Sequence, residues 1–240
     1  MKTKGRLLAV GIGPGAEDDL TGRARQAIDM ASVIVGYRPY CDSVASLTAG
    51  KVVIATGMKE EVDRCSTALD RVAAGAVVAV ISSGDAGIYG MAGLLMELAD
   101  QRGMDVDIEV VAGITAATAA AASLGAPLAN DFAVISLSDL LTDRSVILRR
   151  LEAVAAADMT AALYNPCSRS RHDLFNEALR IFRGARGPAG VAGFVRHASR
   201  TDQTQWIGTL AELPVEDVDM STVVVVGCSQ TALIGGRMVT

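Results

Sequence analysis

The chain has 240 residues, half of them hydrophobic and few aromatic, with a formal net charge of −5. That length supports a sizeable core, and the acidic balance excludes general nucleic-acid binding, which rests on Lys and Arg neutralising phosphates. The four cysteines (Cys41, Cys65, Cys167 and Cys228) are scattered, and only His172 and His197 could join them, so no zinc, iron–sulfur or other metal site is expected.

Scattered thiols without a C-x-x-C pair suit a reducing compartment. The apolar run "LLAVGI" is cut off by Gly-Pro-Gly, too soon for a signal-peptide core. No stretch approaches the roughly 20 apolar residues of a membrane span. The expectation is a soluble, cytoplasmic protein.

In chain order, the first half alternates short β-rich runs with helical patterns. Strands are expected at 7–12, 32–35, 52–54, 77–81 and 108–111, and helices near 20–30, 60–74, 88–102 and 114–124. Continuously apolar strands separated by amphipathic helices indicate a parallel sheet covered on both faces. The second half carries strands at 132–137, 159–164, 190–196, 203–208 and 222–228, with helices at 143–157 and 171–183. Its last strands follow one another through short connections, which forces antiparallel pairing, so this sheet should be mixed. Gly, Pro and Asn in "SLGAPLAND", 123–131, mark the boundary. The fold class is therefore two unlike α/β domains, 1–122 and 123–240, with the active site expected in the cleft between them.

Six stretches carry candidate chemistry. "VGIGPGAEDDLT", 10–21, places Gly11, Gly13 and Gly15 between a strand and a helix. Such loops can cradle an anion, but the third glycine comes too early for a dinucleotide fingerprint and Pro14 removes a donor. A structural tight turn fits better. "SSGDAGIYGM", 82–91, sits at a strand end, where parallel sheets bind ligands. Asp85 there either caps the following helix or accepts from a ligand hydroxyl such as a ribose. "VVAGITAATAA", 110–120, opens a helix of very small residues, leaving room either for a ligand or for close packing. "AALYNPCSRSRHD", 161–173, stops a strand at Asn165-Pro166 and crowds Arg169, Arg171 and His172 into the next turn, as a solvated helix start or a carboxylate-binding patch. "GFVRHASRTDQTQWIG", 193–208, puts Arg196, His197 and Arg200 at a strand end, and "DMSTVVVVG", 219–227, leads into a buried strand.

The order and spacing of "VGIGPG", "SSGDAGIYGMA", "VVAGITAA", "ALYNP", "VRHASR" and "STVVVVG" resemble the tetrapyrrole (corrin/porphyrin) methyltransferase family over essentially the whole chain. The stretch 135–171, with its Ser-Leu-Ser-Asp-Leu-Leu-Thr run and Tyr-Asn-Pro, is most similar to family members that methylate C17 of precorrin-3B. The resemblance implies an S-adenosyl-L-methionine-dependent enzyme of cobalamin biosynthesis. It would methylate C17 of its tetrapyrrole partner precorrin-3B, contract the ring to precorrin-4 and work as a homodimer. Carried over by motif, the cofactor site would use Ser83, Gly84, Asp85, Ile88, Thr115, Ala116, Tyr164, Asn165, Ala198 and Thr222. Gly13, Pro14 and Gly15 would lie near the tetrapyrrole. Two departures stand out: Ala86 replaces the usual proline after Gly-Asp, and His197 and Ser199 stand where Asn and Gly are expected.

Methyl transfer to an electron-rich carbon needs alignment more than a deprotonated side chain, which agrees with the lack of a Ser-His-Asp or Cys-His arrangement. Ring contraction calls for a base and a donor; the catalytic candidates are Asp139, Arg196 and His197. Arg38, Lys59, Arg169, Arg171, Arg196 and Arg200 are the cations expected around the substrate's carboxylates. The alternatives are another methylase of the same pathway, including one acting on a cobalt-containing substrate, a nucleotide-binding oxidoreductase, and a non-catalytic tetrapyrrole carrier.

Overall fold

The structure, a computed structural model, describes residues 5–167 and 172–240. The chain divides into two compact units, one ending at Thr115 and the other beginning at Ala116.

The first unit contains β1 (Arg6–Gly11), α1 (Gly22–Met30), β2 (Val33–Tyr37), α2 (Arg38–Ser43), β3 (Val52–Thr56), α3 (Glu61–Ala73), β4 (Val77–Ser82), α4 (Ala92–Gln101) and β5 (Ile108–Val111). All five strands are parallel, in the order β3-β2-β4-β1-β5. The unbroken apolar runs follow from burial on both faces. Leu7 and Ala9 of β1 pack with Cys65, Leu69 and Leu95 on one face. Leu8 and Val10, pointing the other way, pack with Ala24, Ile28 and Val44. Because every strand runs the same way, the segments following β1 to β5 all emerge at one edge of the sheet.

The second unit contains α5 (Ala116–Leu124), β6 (Gly125–Ala126), β7 (Phe132–Ser136), α6 (Arg144–Ala156), β8 (Thr160–Tyr164), α7 (Asp173–Arg186), β9 (Val191–Arg196), β10 (Thr204–Thr209), β11 (Thr222–Val226), β12 (Ala232–Ile234) and β13 (Arg237–Val239). Its main sheet has the order β10-β9-β11-β8-β7. Only β7 and β8 are parallel, joined by α6, and the remaining pairs are antiparallel, as the short connections require. Phe175, Leu179 and Phe182 of α7 and Ile147 and Leu151 of α6 fill one face against Leu163, Phe194 and Val224. The alanine-rich α5 covers the other through Ala117, Ala120 and Leu124 against Val195, Val223 and Val225. The sequence puts the division after residue 122; α5 packs on the second sheet. The contact is close on the sheet side, where a Cβ on Gly193 would meet Leu124 Cδ2 at 3.0 Å.

Several features lie outside the sequence expectations, among them the short β6 beside β13. The six-residue α2 is too short to show a helical period. The β12–β13 hairpin turns on Gly235 and Gly236 with φ of 57° and 77°, the left-handed pair that a two-residue hairpin demands. Residues 83–91 form an irregular loop, so α4 starts at Ala92 and not near 88. Among the described residues, no helix is long and apolar enough to cross a membrane.

Candidate active site

In the first unit, three loops meet backbone to backbone at the carboxyl edge of the sheet. Gly13 and Gly84 exchange two hydrogen bonds, Gly13 N–H to Gly84 O at 3.1 Å and Gly84 N–H to Gly13 O at 2.7 Å. Both have positive φ, 75° and 68°, which only glycine adopts without strain. A Cβ on Gly113 would lie 2.2 Å from Gly84 O, and one on Gly11 would lie 2.6 Å from the same atom. These glycines are therefore occupied in joining the ends of β1, β4 and β5. Gly13 and Pro14 are buried in this junction, and Gly15 keeps partial exposure.

Asp85 is the polar fastener of the junction. Its Oδ1 accepts from Gly87 N–H at 2.7 Å and its Oδ2 from Gly113 N–H at 3.0 Å. Neither bond caps α4, whose N-cap is Met91 without a side-chain bond, so the helix-cap alternative falls away. Each carboxylate oxygen has accepted one bond, and a carboxylate offers about four acceptor sites, so Asp85 retains capacity for a ligand. Around it Ile88, Tyr89 and Ile114 stand 37 %, 53 % and 36 % exposed, an apolar rim beside exposed Gly87. Ser83 is half-buried in the same loop. Arg38, at the start of α2, and Lys59, beyond β3, are exposed at this edge.

In the second unit, antiparallel pairing brings the remaining motifs to one edge of the mixed sheet. The carboxyl ends of β7 and β8 lie side by side, Ser136 opposite Tyr164, and Thr222 at the start of β11 lies opposite Arg196 at the end of β9. The Tyr164 hydroxyl accepts from Ala117 N–H at 2.6 Å and so satisfies a first-turn donor of α5. That bond holds the helix start, with Ala116, at this edge. Asn165, at φ 52°, donates from Nδ2 to Ser136 Oγ at 2.9 Å. Asp139 lies on the loop after β7 and lines a pocket of about 170 Å³ with Arg144, Asn165, Asp173 and Met220. Arg169 and Arg171 lie outside the described residues.

Losing the Tyr164 hydroxyl bond is equivalent to losing a helix N-cap. Tyr164→Phe is expected to cost about 1 kcal/mol of unfolding free energy, measured by denaturant titration. An unchanged value would show that the hydroxyl does not support α5.

Arg196 Nε donates to Asp219 Oδ2 at 2.7 Å, and Asp219 Oδ1 accepts from Ser221 N–H at 2.8 Å and from the Thr222 hydroxyl at 3.0 Å. Burial alone would raise the Asp219 carboxyl; the Ser221, Thr222 and Arg196 bonds together hold it below its ordinary value. Thr222 is 2 % exposed and engaged with Asp219, so it acts on the site by fixing that acid. Asp219 is a residue the sequence reading missed. An acid two to three residues ahead of Ser-Thr, forming a side-chain turn, was its signal. His197, at φ 53°, brings Nδ1 within 2.6 Å of Asp202 Oδ2. The hydrogen bond to His197 holds the Asp202 carboxyl below its ordinary value. Ala198 is buried, and Arg200 is exposed in the turn that its N–H closes on His197 O at 2.9 Å. All four thiols are buried, and burial pushes Cys65 and Cys167 up to about 11. Among the described residues no cluster of His, Cys, Asp and Glu could hold a metal ion.

Residues 6–214 match the family described as Tetrapyrrole (Corrin/Porphyrin) Methylases. The chain is 45 % identical over its full length to the cobalamin biosynthesis protein CbiHC of Archaeoglobus fulgidus, of which it spans 53 %. It is 43 % identical over 98 % of its length to the probable cobalt-factor III C(17)-methyltransferase of Salmonella typhimurium, of which it spans 97 %. It is 36 % identical over 96 % of its length to the precorrin-3B C(17)-methyltransferase of a Sinorhizobium species, of which it spans 91 %. Among solved structures, the methyltransferase CobJ superposes with a TM-score of 0.92 at 37 % identity, covering 98 % of this chain and 99 % of that one. Uroporphyrin-III C-methyl transferase from Thermus thermophilus, solved with S-adenyl homocysteine, gives 0.72 at 25 % identity, covering 92 % and 97 %.

Proposed function

The chain belongs to the tetrapyrrole (corrin/porphyrin) methylase family, and from that premise we propose that it transfers a methyl group from S-adenosyl-L-methionine to C17 of precorrin-3B, with ring contraction to precorrin-4. The observation that carries the cofactor assignment is the junction at Asp85. It combines a carboxylate with spare acceptor sites, exposed backbone at Gly87 and an apolar rim of Ile88, Tyr89 and Ile114. An adenosyl group presents paired hydroxyls and a flat apolar ring, so the donor and acceptor set fits it. Ser83, Gly84, Asp85, Ile88 and Thr115 of the first unit, and Ala116, Tyr164, Asn165, Ala198 and Thr222 of the second, are proposed to hold it. The bound group would supply an electrophilic methyl on a sulfonium.

The residues of this chain contribute positioning. The Asp85 fastener fixes the loop that meets the cofactor, so orientation is set before the substrate arrives. His197, oriented by the contact of its Nδ1 with Asp202, is proposed as the group for proton transfer through Nε2. Arg196, held by Asp219, is suited to donate to a developing oxyanion. Asp139 is the remaining candidate for proton transfer. Gly15, Arg38, Lys59, Arg169, Arg171 and Arg200 are proposed to meet the tetrapyrrole and its carboxylates, while Gly13 and Pro14, buried in the junction, shape the turn that carries Gly15. A cytoplasmic homodimer belongs to the same proposal, supported by the resemblance alone.

A second reading has its own support. The relative at 43 % identity is named for cobalt-factor III, against 36 % for the one named for precorrin-3B. A cobalt-containing substrate would use the same residues. Calorimetry with S-adenosylhomocysteine tests the shared part: a 1:1 isotherm supports the methyltransferase assignment, and no heat of binding would remove it.

A further inference from the structure

Arg64 of α3 is 4 % exposed, and among the described residues no carboxylate lies within ion-pair distance of it. The other deeply buried cation, Arg186, with its side chain 5 % exposed, pairs with Asp158 at 3.0 Å. A buried guanidinium without an anion is costly and calls for a reason.

Its partners supply one. Nε donates to Thr56 Oγ1 at 2.7 Å at the end of β3, Nη2 donates to Gly57 O at 2.8 Å, and Nη1 reaches Met91 Sδ at 3.7 Å at the end of the 83–91 loop. The guanidinium carbon stands 6.0 Å from the centre of the Tyr37 ring at the end of β2. On the other side of the turn, Gly57 N–H donates to Glu60 Oε2 at 2.7 Å, and Arg64 N–H donates to Glu60 O at 2.9 Å. The turn from Gly57 to Glu60 is thus closed from both sides. At its tip Lys59 is held at φ 65°, a left-handed backbone that a lysine rarely adopts. Arg38 directly follows Tyr37. The two exposed cations at this edge, Arg38 and Lys59, therefore stand on the two strand ends that Arg64 grips.

We infer that Arg64 is a positioning residue for the anionic substrate: it fixes the strand ends that present Arg38 and Lys59. The inference rests on the proposed function, because a tetrapyrrole polycarboxylate is the anion these cations would meet.

The test is a double-mutant cycle on the full chain, with uroporphyrin III, a tetrapyrrole polycarboxylate, as probe and S-adenosylhomocysteine as control. Lys59→Ala is expected to weaken probe binding about five- to ten-fold. Arg64→Met should do so at least as much, and the double variant should add little, because both act on one element. Arg64→Lys, which keeps the charge and loses the fork, should restore part of the affinity. Affinity for S-adenosylhomocysteine should stay within two-fold in Lys59→Ala and should fall less than probe affinity in the Arg64 variants, because Arg64 touches the 83–91 loop only at Met91, its end. Additive losses, or a lowered unfolding midpoint with unchanged probe affinity in Arg64→Lys and Arg64→Met, would overturn the inference. If Arg64→Met does not fold, an unchanged probe affinity in Arg64→Lys and Lys59→Ala decides against it. Wild-type chain that binds the control but not the probe also decides against it, whereas loss of the control in wild type defeats the methyltransferase assignment itself.

Discussion

Gly113→Ala is expected to be among the most damaging single-methyl changes in the described residues. The added Cβ would sit 2.2 Å from Gly84 O and 2.7 Å from both Gly11 C and Gly11 O, all backbone atoms that no rotamer change can move. Relief requires shifting the ends of β1 or β4, and Gly84 is pinned to Gly13 by two hydrogen bonds. Overpacking of this kind costs about 1–3 kcal/mol, and more where the neighbour is rigid. The same displacement separates Gly113 N–H from Asp85, so affinity for S-adenosylhomocysteine should fall with stability. Gly93→Ala is the matched control. Gly93 lies in α4, and a methyl added there would have open space for 4 Å around it. There an alanine should stabilise by about 0.5–1 kcal/mol. Denaturant unfolding of both variants checks the contrast, and equal midpoints would show that the three-loop junction is not rigid.

Asp85→Ala is expected to lose ligand affinity out of proportion to stability. The substitution strands Gly87 N–H and Gly113 N–H, each of which had one carboxylate oxygen. Gly87 is exposed and recovers a bond from water, and Gly113 is partly buried and recovers less. The stability cost should therefore stay near 1 kcal/mol, the low end for an unmet donor. Ligand binding loses more: the loop between β4 and α4 is released from the β5 end, and the ligand's own acceptor disappears. A loss of 2–3 kcal/mol corresponds to roughly 30- to 150-fold in affinity. Asp85→Asn retains one oxygen acceptor and should fall between. Calorimetry with S-adenosylhomocysteine, beside denaturant unfolding, separates the two effects. Equal losses in both would make Asp85 a purely structural fastener.

The parallel and mixed sheets were legible because their signals are local. Runs such as Val77 to Ile81 are apolar at every position, which only two-sided burial explains. The short connection between β9 and β10 fixes their antiparallel sense. The candidate loops were legible by position, since strand ends carry ligands in such sheets. What each side chain does there was less legible. Asp85 looked like a cap or a ligand acceptor, and its bond to Gly113, 28 residues away, is a tertiary fact. The Thr222 hydroxyl bond to Asp219 was not legible either. Arg64 left no trace, because an arginine in an amphipathic helix reads as solvated until its burial is known. Tyr164 shows the same limit: its helix-capping bond joins segments 47 residues apart.

Turnover with precorrin-3B and S-adenosylmethionine carrying an isotopically labelled methyl group tests the central claim most directly. The account predicts a product heavier by one labelled methyl at C17, with the absorption spectrum of the contracted ring. A chain that binds S-adenosylhomocysteine yet leaves precorrin-3B and its cobalt-containing counterpart unlabelled would contradict it.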